Sequence, residues 1–260
     1  MAGLFQAFLV ALVVTVPAPR KEGLQSFTGD YSVTFLGIPV AHSTFNSTFK
    51  DNSFSVKGVL SAAGLAQLFD DTQGSVSASG RFAGGRTQPT AFRVDYTEGK
   101  KSKMTSIRFK NGSVTRTENV PPPKKRGKDW VPLGKAHLRT VTDPLSATLV
   151  RADSLSEVCG RTIKIYDGEL RFDLTLTHES TGSMAIDGWE GETVTCSVRF
   201  KPVAGYRKGR KALDYLKNRS RMTITFAPLG TTGVYGPVRA TVGTQIGPIT
   251  VQAQRFEATK

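Results

Sequence analysis

The sequence predicts a mainly β protein, an antiparallel curled sheet or β-barrel of about ten or more strands with one or two short helices. Three observations predict it. Apolar residues alternate with polar ones along most of the chain, the period of strands with one buried face. Asn-Gly, Asp-Gly and Gly/Pro breakers interrupt these runs at the spacing of hairpin turns. Finally, 26 Gly, 13 Pro and 15 Phe against 4 Met in 260 residues describe turn-rich β material, and 38% hydrophobic with 22% charged residues excludes disorder.

From Leu4 to Val16 the chain is apolar except for Gln6 and Thr15. This run has the length of a signal-peptide core and is too short to cross about 30 Å of hydrocarbon, which takes roughly 20 residues. Val16-Pro17-Ala18 offers small residues for cleavage, so residues 1–18 read as a leader with its cut left open, and 24–258 as a single antiparallel β domain. Met1 to Gly3 carry no Lys or Arg, and a start upstream of Met1 would supply the missing basic region. A buried N-terminal strand or helix is the other reading of this run. No other apolar stretch is long enough to span a membrane as a helix.

Between Phe27 and Leu60 the apolar beat falls on Tyr31, Val33 and Phe35, then Ala41, Phe45 and Phe49, then Phe54 and Val56. Breakers at Gly37-Ile38-Pro39 and Asp51-Asn52-Ser53 turn these strands into a meander. Ser61 to Asp71 depart from the rhythm, and Leu65, Leu68 and Phe69 at helical spacing predict a short helix at one end of the sheet. Strands resume over Ser75–Ala83, Thr90–Thr97, Met104–Phe109 and Ser113–Thr117, the last two joined at Asn111-Gly112, where both residues tolerate positive φ. Pro121 to Pro123 stop the sheet, and Lys124, Lys125, Arg126 and Lys128 form an exposed basic connector.

Asp143-Pro144 places a capping acceptor before a proline at the first helical position, so the main helix is expected over Asp143–Leu155. Asp167-Gly168 joins strands Arg161–Tyr166 and Glu169–Thr177. Thr193–Phe200, Met222–Phe226, Gly233–Val242 and Pro248–Phe256 supply four more, and Lys211–Asn218 one or two helical turns. No βαβ alternation occurs. A split at Pro121–Lys128 would leave each half with exposed strand edges, so one domain is the economical arrangement.

Cys159 and Cys196 are the only cysteines and belong to no CxxC pair or Cys/His cluster, so no metal site is expected. In an oxidising compartment they read as a disulfide, worth about 4 kcal/mol in the chain-entropy model; two free buried thiols are the alternative.

The net charge of +14 is concentrated. Lys100–Arg139 carries +10 and Arg199–Arg221 carries +8, leaving the rest of the chain at −4. If the two segments meet, they form one electropositive face for an anionic envelope component such as a lipid, lipopolysaccharide or glycan, or for an acidic envelope protein. If they do not, they are solvated loops. A basic chain also raises nucleic acid as a partner, but no helix-turn-helix, zinc finger or RNP-like aromatic ladder is present, and a leader argues against it.

Catalytic patterns are weak. His42, His137 and His178 stand apart, and HExxH, glycine-rich phosphate loops and GxSxG are missing, so neither an enzyme nor a cofactor is expected. Asp167, Glu169, Asp173, Asp187, Glu190 and Glu192 leave open a hydrolase of an envelope glycan, which needs two carboxyls roughly 5 to 10 Å apart. Arg171 falls across a tight turn from Asp167, where the two would pair. Arg199, Lys201, Tyr206 and Arg207 mix basic and aromatic groups, and Trp130 ends the connector. These residues line a mouth or partner surface, or else Trp130 and Tyr206 plug the ends of a barrel.

The run DPLSA at Asp143–Ala147, Cys159 with DGELR at Asp167–Arg171, Cys196 with RFKPVAGYR at Arg199–Arg207, and FLGIPVAHSTF at Phe35–Phe45 resemble a family known only as a domain of unknown function. Its members are exported proteins of Gram-negative bacteria. The resemblance implies a periplasmic all-β protein with a disulfide and implies no chemistry. More distantly, a sheet curled around a helix is similar to periplasmic lipoprotein carriers, whose concave apolar face holds acyl chains. The expected function is therefore a non-catalytic binding or scaffold protein of the envelope. An open inner face would favour a carrier, a filled one a scaffold.

Overall fold

In a computed structural model the described residues are 23–63, 73–99, 101–124 and 126–259. The expected leader, most of the helix expected at Ser61–Asp71, and Lys125 lie outside them. Seven strands follow one another as a meander: β1 (Leu24–Phe35), β2 (Ile38–Lys50), β3 (Ser53–Ala62), β4 (Gln73–Ala83), β5 (Arg86–Glu98), β6 (Lys101–Lys110) and β7 (Ser113–Val120). Then come β8 (Trp130–Val131), β9 (Val150–Arg151), β10 (Arg161–Tyr166), β11 (Arg171–Ile186), β12 (Trp189–Ala204), β13 (Tyr206–Arg207), helix α1 (Lys211–Asn218), β14 (Met222–Pro228), β15 (Val234–Thr244) and β16 (Gly247–Thr259). They form a 14-stranded sheet in the order β10-β11-β12-β14-β15-β16-β1-β2-β3-β4-β5-β6-β7, with β9 against β15, and a separate β8-β13 pair. The fold is mainly β and antiparallel, as the alternation implies.

The ladder does not close into a barrel. Its two edges, β7 and β10, are held together by a strap: Val141 N–H donates to Gly112 O at the β6–β7 turn, Thr142 N–H to Lys164 O, and Tyr166 N–H to Thr142 O. Asn119 Nδ2 adds a bond from β7 to Gly168 O at 3.2 Å.

The strap continues into the residues expected as the main helix, and here the structure corrects the sequence. Asp143 does cap a turn, accepting from Ser146 N–H at 2.8 Å, but only a 3-10 turn over Ser146–Thr148 follows before Val150–Arg151 pair with β15. The reason is what these side chains bury against. Leu149 enters the cluster of Phe27, Phe54 and Phe82, whereas its neighbour Val150 enters that of Val158, Cys196 and Phe226. Consecutive residues facing opposite ways require extended backbone, not a helix. Cys159 and Cys196 form a disulfide with Cα atoms 5.8 Å apart, tying the end of this segment to β12. Helix α1 stands where expected, with Leu213 buried.

The turns divide into two ends. Asp51-Asn52, Gly84-Gly85 and Asn111-Gly112 share one end with the strap; Leu36-Gly37, Gln245-Ile246 and the ends of β3, β5 and β7 share the other, the mouth. The first breaker falls at Leu36-Gly37, with Ile38 and Pro39 already in β2.

Candidate functional site

Residues paired across an antiparallel ladder point to one face, so the inner lining can be followed by register. Near the strap it is packed: Phe49 opposes Phe54, and Phe27, Phe54 and Phe82 are buried. Toward the mouth the same face carries Val33 opposite Val251, Phe45 opposite Gly58, Val76 opposite Val94, and Tyr96 opposite Gly74, which itself opposes Leu60. Burial fades along this direction. Val33, Phe45, Val76 and Val94 are half-buried, whereas Leu60 is 39% and Tyr96 36% exposed. Gly58 makes the packing possible, since a Cβ there would stand 2.4 Å from the Phe45 ring. Tyr31 marks the boundary. It donates to Pro237 O at 2.9 Å, and burial, helped by Asp30, pushes its phenol above the ordinary range.

The rim is apolar as well. Of the large hydrophobic side chains left exposed among the described residues, Leu36, Ile38, Val59, Leu60, Tyr96, Val120, Ile246 and Ile249 all sit at the mouth end; Leu24 alone does not. A groove of 620 Å³ crosses the mouth ends of β2 to β7, lined by Val59, Leu60, Tyr96, Met104 and Val120 together with His42. Lys103 lies 5.1 Å over the Tyr96 ring.

Part of each basic segment lies at this end, whereas Arg108, Lys110 and Arg116 stand on the strap side of β6 and β7. The connector leaves β7 at the mouth, and β13 brings the second segment onto it, with Tyr206 paired to Val131 and Arg207 to Trp130. Lys208 N–H donates to Asp129 O and Gly205 N–H to Val131 O. Arg207 also hydrogen-bonds the Asp129 carboxylate, holding it below the usual carboxylate range. Arg126 stacks 4.7 Å from the Trp130 ring. Together Lys124, Arg126, Asp129, Trp130, Glu169 and Arg207 line a pocket of 510 Å³. Lys128 is exposed beside it. Helix α1 and the residues up to Arg221 continue the basic run along the mouth, where Gln245 Nε2 reaches Lys211 O and Gly243 N–H reaches Arg221 O.

The structure thus brings together Trp130, Tyr206, Arg207, Lys124 and Arg126 and leaves three expected residues elsewhere. Arg199 and Lys201 are exposed on the face of β12 opposite Val198 and Phe200. Arg171 is buried, donates Nε–H to His137 O and pairs with Asp173 at 2.7 Å. It does not pair with Asp167, whose carboxylate accepts from Glu169 and Leu170 N–H inside its own turn. Leu60 and Tyr96 keep the strand period of the inner face. Their period gave the correct face, but nothing local distinguishes the packed end of that face from the open one.

Among the described residues no group of three or more His, Cys, Asp or Glu side chains converges as metal ligands, and no helix is long and apolar enough to cross a membrane.

The chain is similar in shape to three solved structures. A β-barrel-like protein of the domain of unknown function DUF1849 from Brucella abortus has a TM-score of 0.47 at 8% identity, covering 93% of this chain and 100% of that one. A candidate exported protein with a YmcC-like fold from Bacteroides fragilis has a TM-score of 0.34 at 10% identity, covering 92% of this chain and 97% of that one. A candidate lipoprotein from Parabacteroides distasonis has the same score, identity and coverage. No curated protein matches the chain at a significant level. The sequence profile of a family of unknown function, DUF3108, matches residues 30–254, nearly the whole of the curled sheet from β1 to β16, and the chain belongs to that family.

Proposed function

We propose that this protein is an exported, non-catalytic binding protein of the cell envelope that engages anionic lipid through its mouth. One observation carries the reading: the exposed large apolar side chains, Leu24 apart, lie at the same end of the curl as the basic connector and the β13–α1 part of the second basic segment. Apolar groups on hairpin tips favour entry into the boundary between headgroups and acyl chains, and adjacent cations add roughly 1 kcal/mol each near an anionic surface. Leu36 and Ile246 occupy such tips, and Lys211 lies beside the second, its carbonyl accepting from Gln245 Nε2. The groove across the mouth, with Val59, Leu60, Tyr96, Met104 and Val120 in its wall, offers an acyl chain apolar contact. Export is supported by the leader-like run at Leu4–Val16 and by the disulfide, which persists in an oxidising compartment.

The hydrolase alternative needs two available carboxyls facing one cleft. Asp173 is engaged by Arg171, Asp167 by its turn, and Asp187, Glu190 and Glu192 are exposed on the β11–β12 arm; Glu169 does share the connector pocket with Asp129, but the Asp129 carboxylate is held by Arg207. That dispersal favours the non-catalytic reading.

Cosedimentation with vesicles tests it. The protein should bind vesicles containing phosphatidylglycerol, bind phosphatidylcholine vesicles far more weakly, and lose binding in high salt. Leu36→Ser with Ile246→Ser should reduce binding without lowering the melting temperature, because both side chains are exposed. Equal binding to neutral vesicles, or full binding by the double variant, overturns the reading. Fractionation of the producing cell tests export.

A further inference from the structure

The pocket between the connector and β13 is built for more than a surface charge. We infer that it is a headgroup subsite for a phosphorylated saccharide. The inference rests on the mouth being the binding face and names what that face selects.

The lining has three kinds of group. Lys124, Arg126 and Arg207 supply cations from two separate chain segments, and arginine presents a planar fork suited to phosphate. Asp129 and Glu169 supply carboxylates, which only accept hydrogen bonds. Trp130 supplies an indole ring whose N–H is buried without a partner. A site for a bare phosphate has no use for carboxylates, which repel it. A sugar phosphate uses the whole set: phosphate oxygens on the cations, hydroxyl protons on the carboxylates, and the apolar face of the ring against the aromatic and aliphatic walls. Size agrees, since 510 Å³ lies within the range of small-molecule sites and far exceeds a lone phosphate.

The floor is fixed while the rim is adjustable. Gly205 has φ +81° and passes so close under the β10–β11 turn that a Cβ would overlap Glu169 O. That contact sets Glu169 against β13 and hence against Arg207. Asp129 is oriented twice, through its carbonyl by Lys208 N–H and through its carboxylate by Arg207. Lys124 and Arg126, by contrast, are exposed at the edge, Arg126 resting on the Trp130 ring, where each can reach a ligand. Several lipids of bacterial envelopes carry phosphorylated sugars, and free sugar phosphates share the chemistry, so soluble and lipid-borne probes are needed together.

The test is calorimetric titration of the intact protein with glucose 1-phosphate, glucose and inorganic phosphate. Glucose 1-phosphate should bind at least about tenfold more tightly than either of the others, a difference of about 1.4 kcal/mol. Glu169→Gln should weaken glucose 1-phosphate severalfold while leaving inorganic phosphate as tight or tighter, because it replaces one hydroxyl-accepting oxygen by an NH2 donor and removes a charge that repels phosphate. Arg126→Gln should weaken both phosphates. These side chains lie at the surface, and circular dichroism checks that the variants fold.

Equal affinity for glucose 1-phosphate and inorganic phosphate, or a Glu169→Gln effect of the same sign on both, reduces the pocket to an anion site and overturns the inference. No binding by any probe overturns it as well. Phosphatidylglycerol vesicles then separate the two readings: their retention alongside failed sugar-phosphate binding leaves lipid docking standing, and the reverse removes docking alone. Vesicles carrying a phosphorylated glycolipid should bind more tightly than phosphatidylglycerol ones if the lipid-borne form is the ligand.

Discussion

Arg171 and Asp173 form a buried ion pair at 2.7 Å, two residues apart on one face of β11, with side chains 6% and 19% exposed. The pair stands where the sequence suggests one between Arg171 and Asp167. In β11 a side chain two positions on shares its face, whereas Asp167 is taken up by the backbone of its turn. Arg171→Ala strands the carboxylate of Asp173 and leaves His137 O without its donor. It should cost about 3 to 5 kcal/mol in urea unfolding. Arg171→Met with Asp173→Leu should recover most of that, since it removes both charges; a double variant as unstable as the single one would contradict this account.

Asp143 is fully buried at the start of the strap, and desolvation raises its carboxyl to about 6 despite hydrogen bonds from Ser146 that lower it. The folded state therefore holds this proton more tightly than the unfolded chain. Its contribution to stability is greatest below the unfolded value near 4, falls as pH rises through about 6, and is flat above. Asp143→Asn keeps an oxygen for the Ser146 N–H. It should stabilise the protein at pH 7.5 by up to about 3 kcal/mol and change little at pH 3.5. Thermal denaturation across pH measures both arms, and a pH-independent effect would show that the charge is not the cause.

The disulfide closes a 37-residue separation and ties the end of the strap segment to the middle of β12. Replacing both cysteines by Ala should lower stability by about 4 kcal/mol, and reductant should do the same to the native protein and nothing to the variant. A loss under about 1 kcal/mol would mean that the packing of Val158 and Leu176 already fixes the segment.

Gly205 has positive φ and no room for a side chain beside Glu169 O. Gly205→Ala should cost at least about 2 kcal/mol and, more tellingly, separate β13 from the Asp167–Leu170 turn. Hydrogen exchange at the Gly205 and Lys208 amides, which are bonded to Val131 O and Asp129 O, should accelerate. Unchanged exchange would show that the corner holds without this close approach.

Much of the fold is written in local pattern. The meander from β1 to β7 follows from alternation at Tyr31, Val33, Phe54 and Val56 and from turns at Asp51-Asn52 and Asn111-Gly112, because each strand has one wet and one dry face. The β11–β12 arm is different. Sequence reading ends its strands near Thr177 and begins again at Thr193, whereas they run from Arg171 to Ile186 and from Trp189 to Ala204. His178 to Ser183 are exposed on both faces, so no apolar period marks them. The tip is anchored far along the sheet, where Phe256 N–H reaches Asp187 O and Trp189 packs edge-on to Phe256 6.1 Å away.

The antiparallel β class, the hairpins, the pairing of the only two cysteines and the confinement of positive charge to two segments are legible in residue order alone. These depend on residue type and on spacing along the chain. Long-range packing settles that the strap replaces a helix, that the curl stays unclosed between β7 and β10, and that burial on the inner face fades from Phe54 and Phe82 toward Leu60 and Tyr96. It also settles that Lys124, Arg126, Trp130 and Arg207 meet, while Arg171, Arg199 and Lys201 do not join them. Burial and charge clustering depend on which strands become neighbours, and β16 beside β1 or β13 beside β8 is a choice between distant segments that no local period encodes.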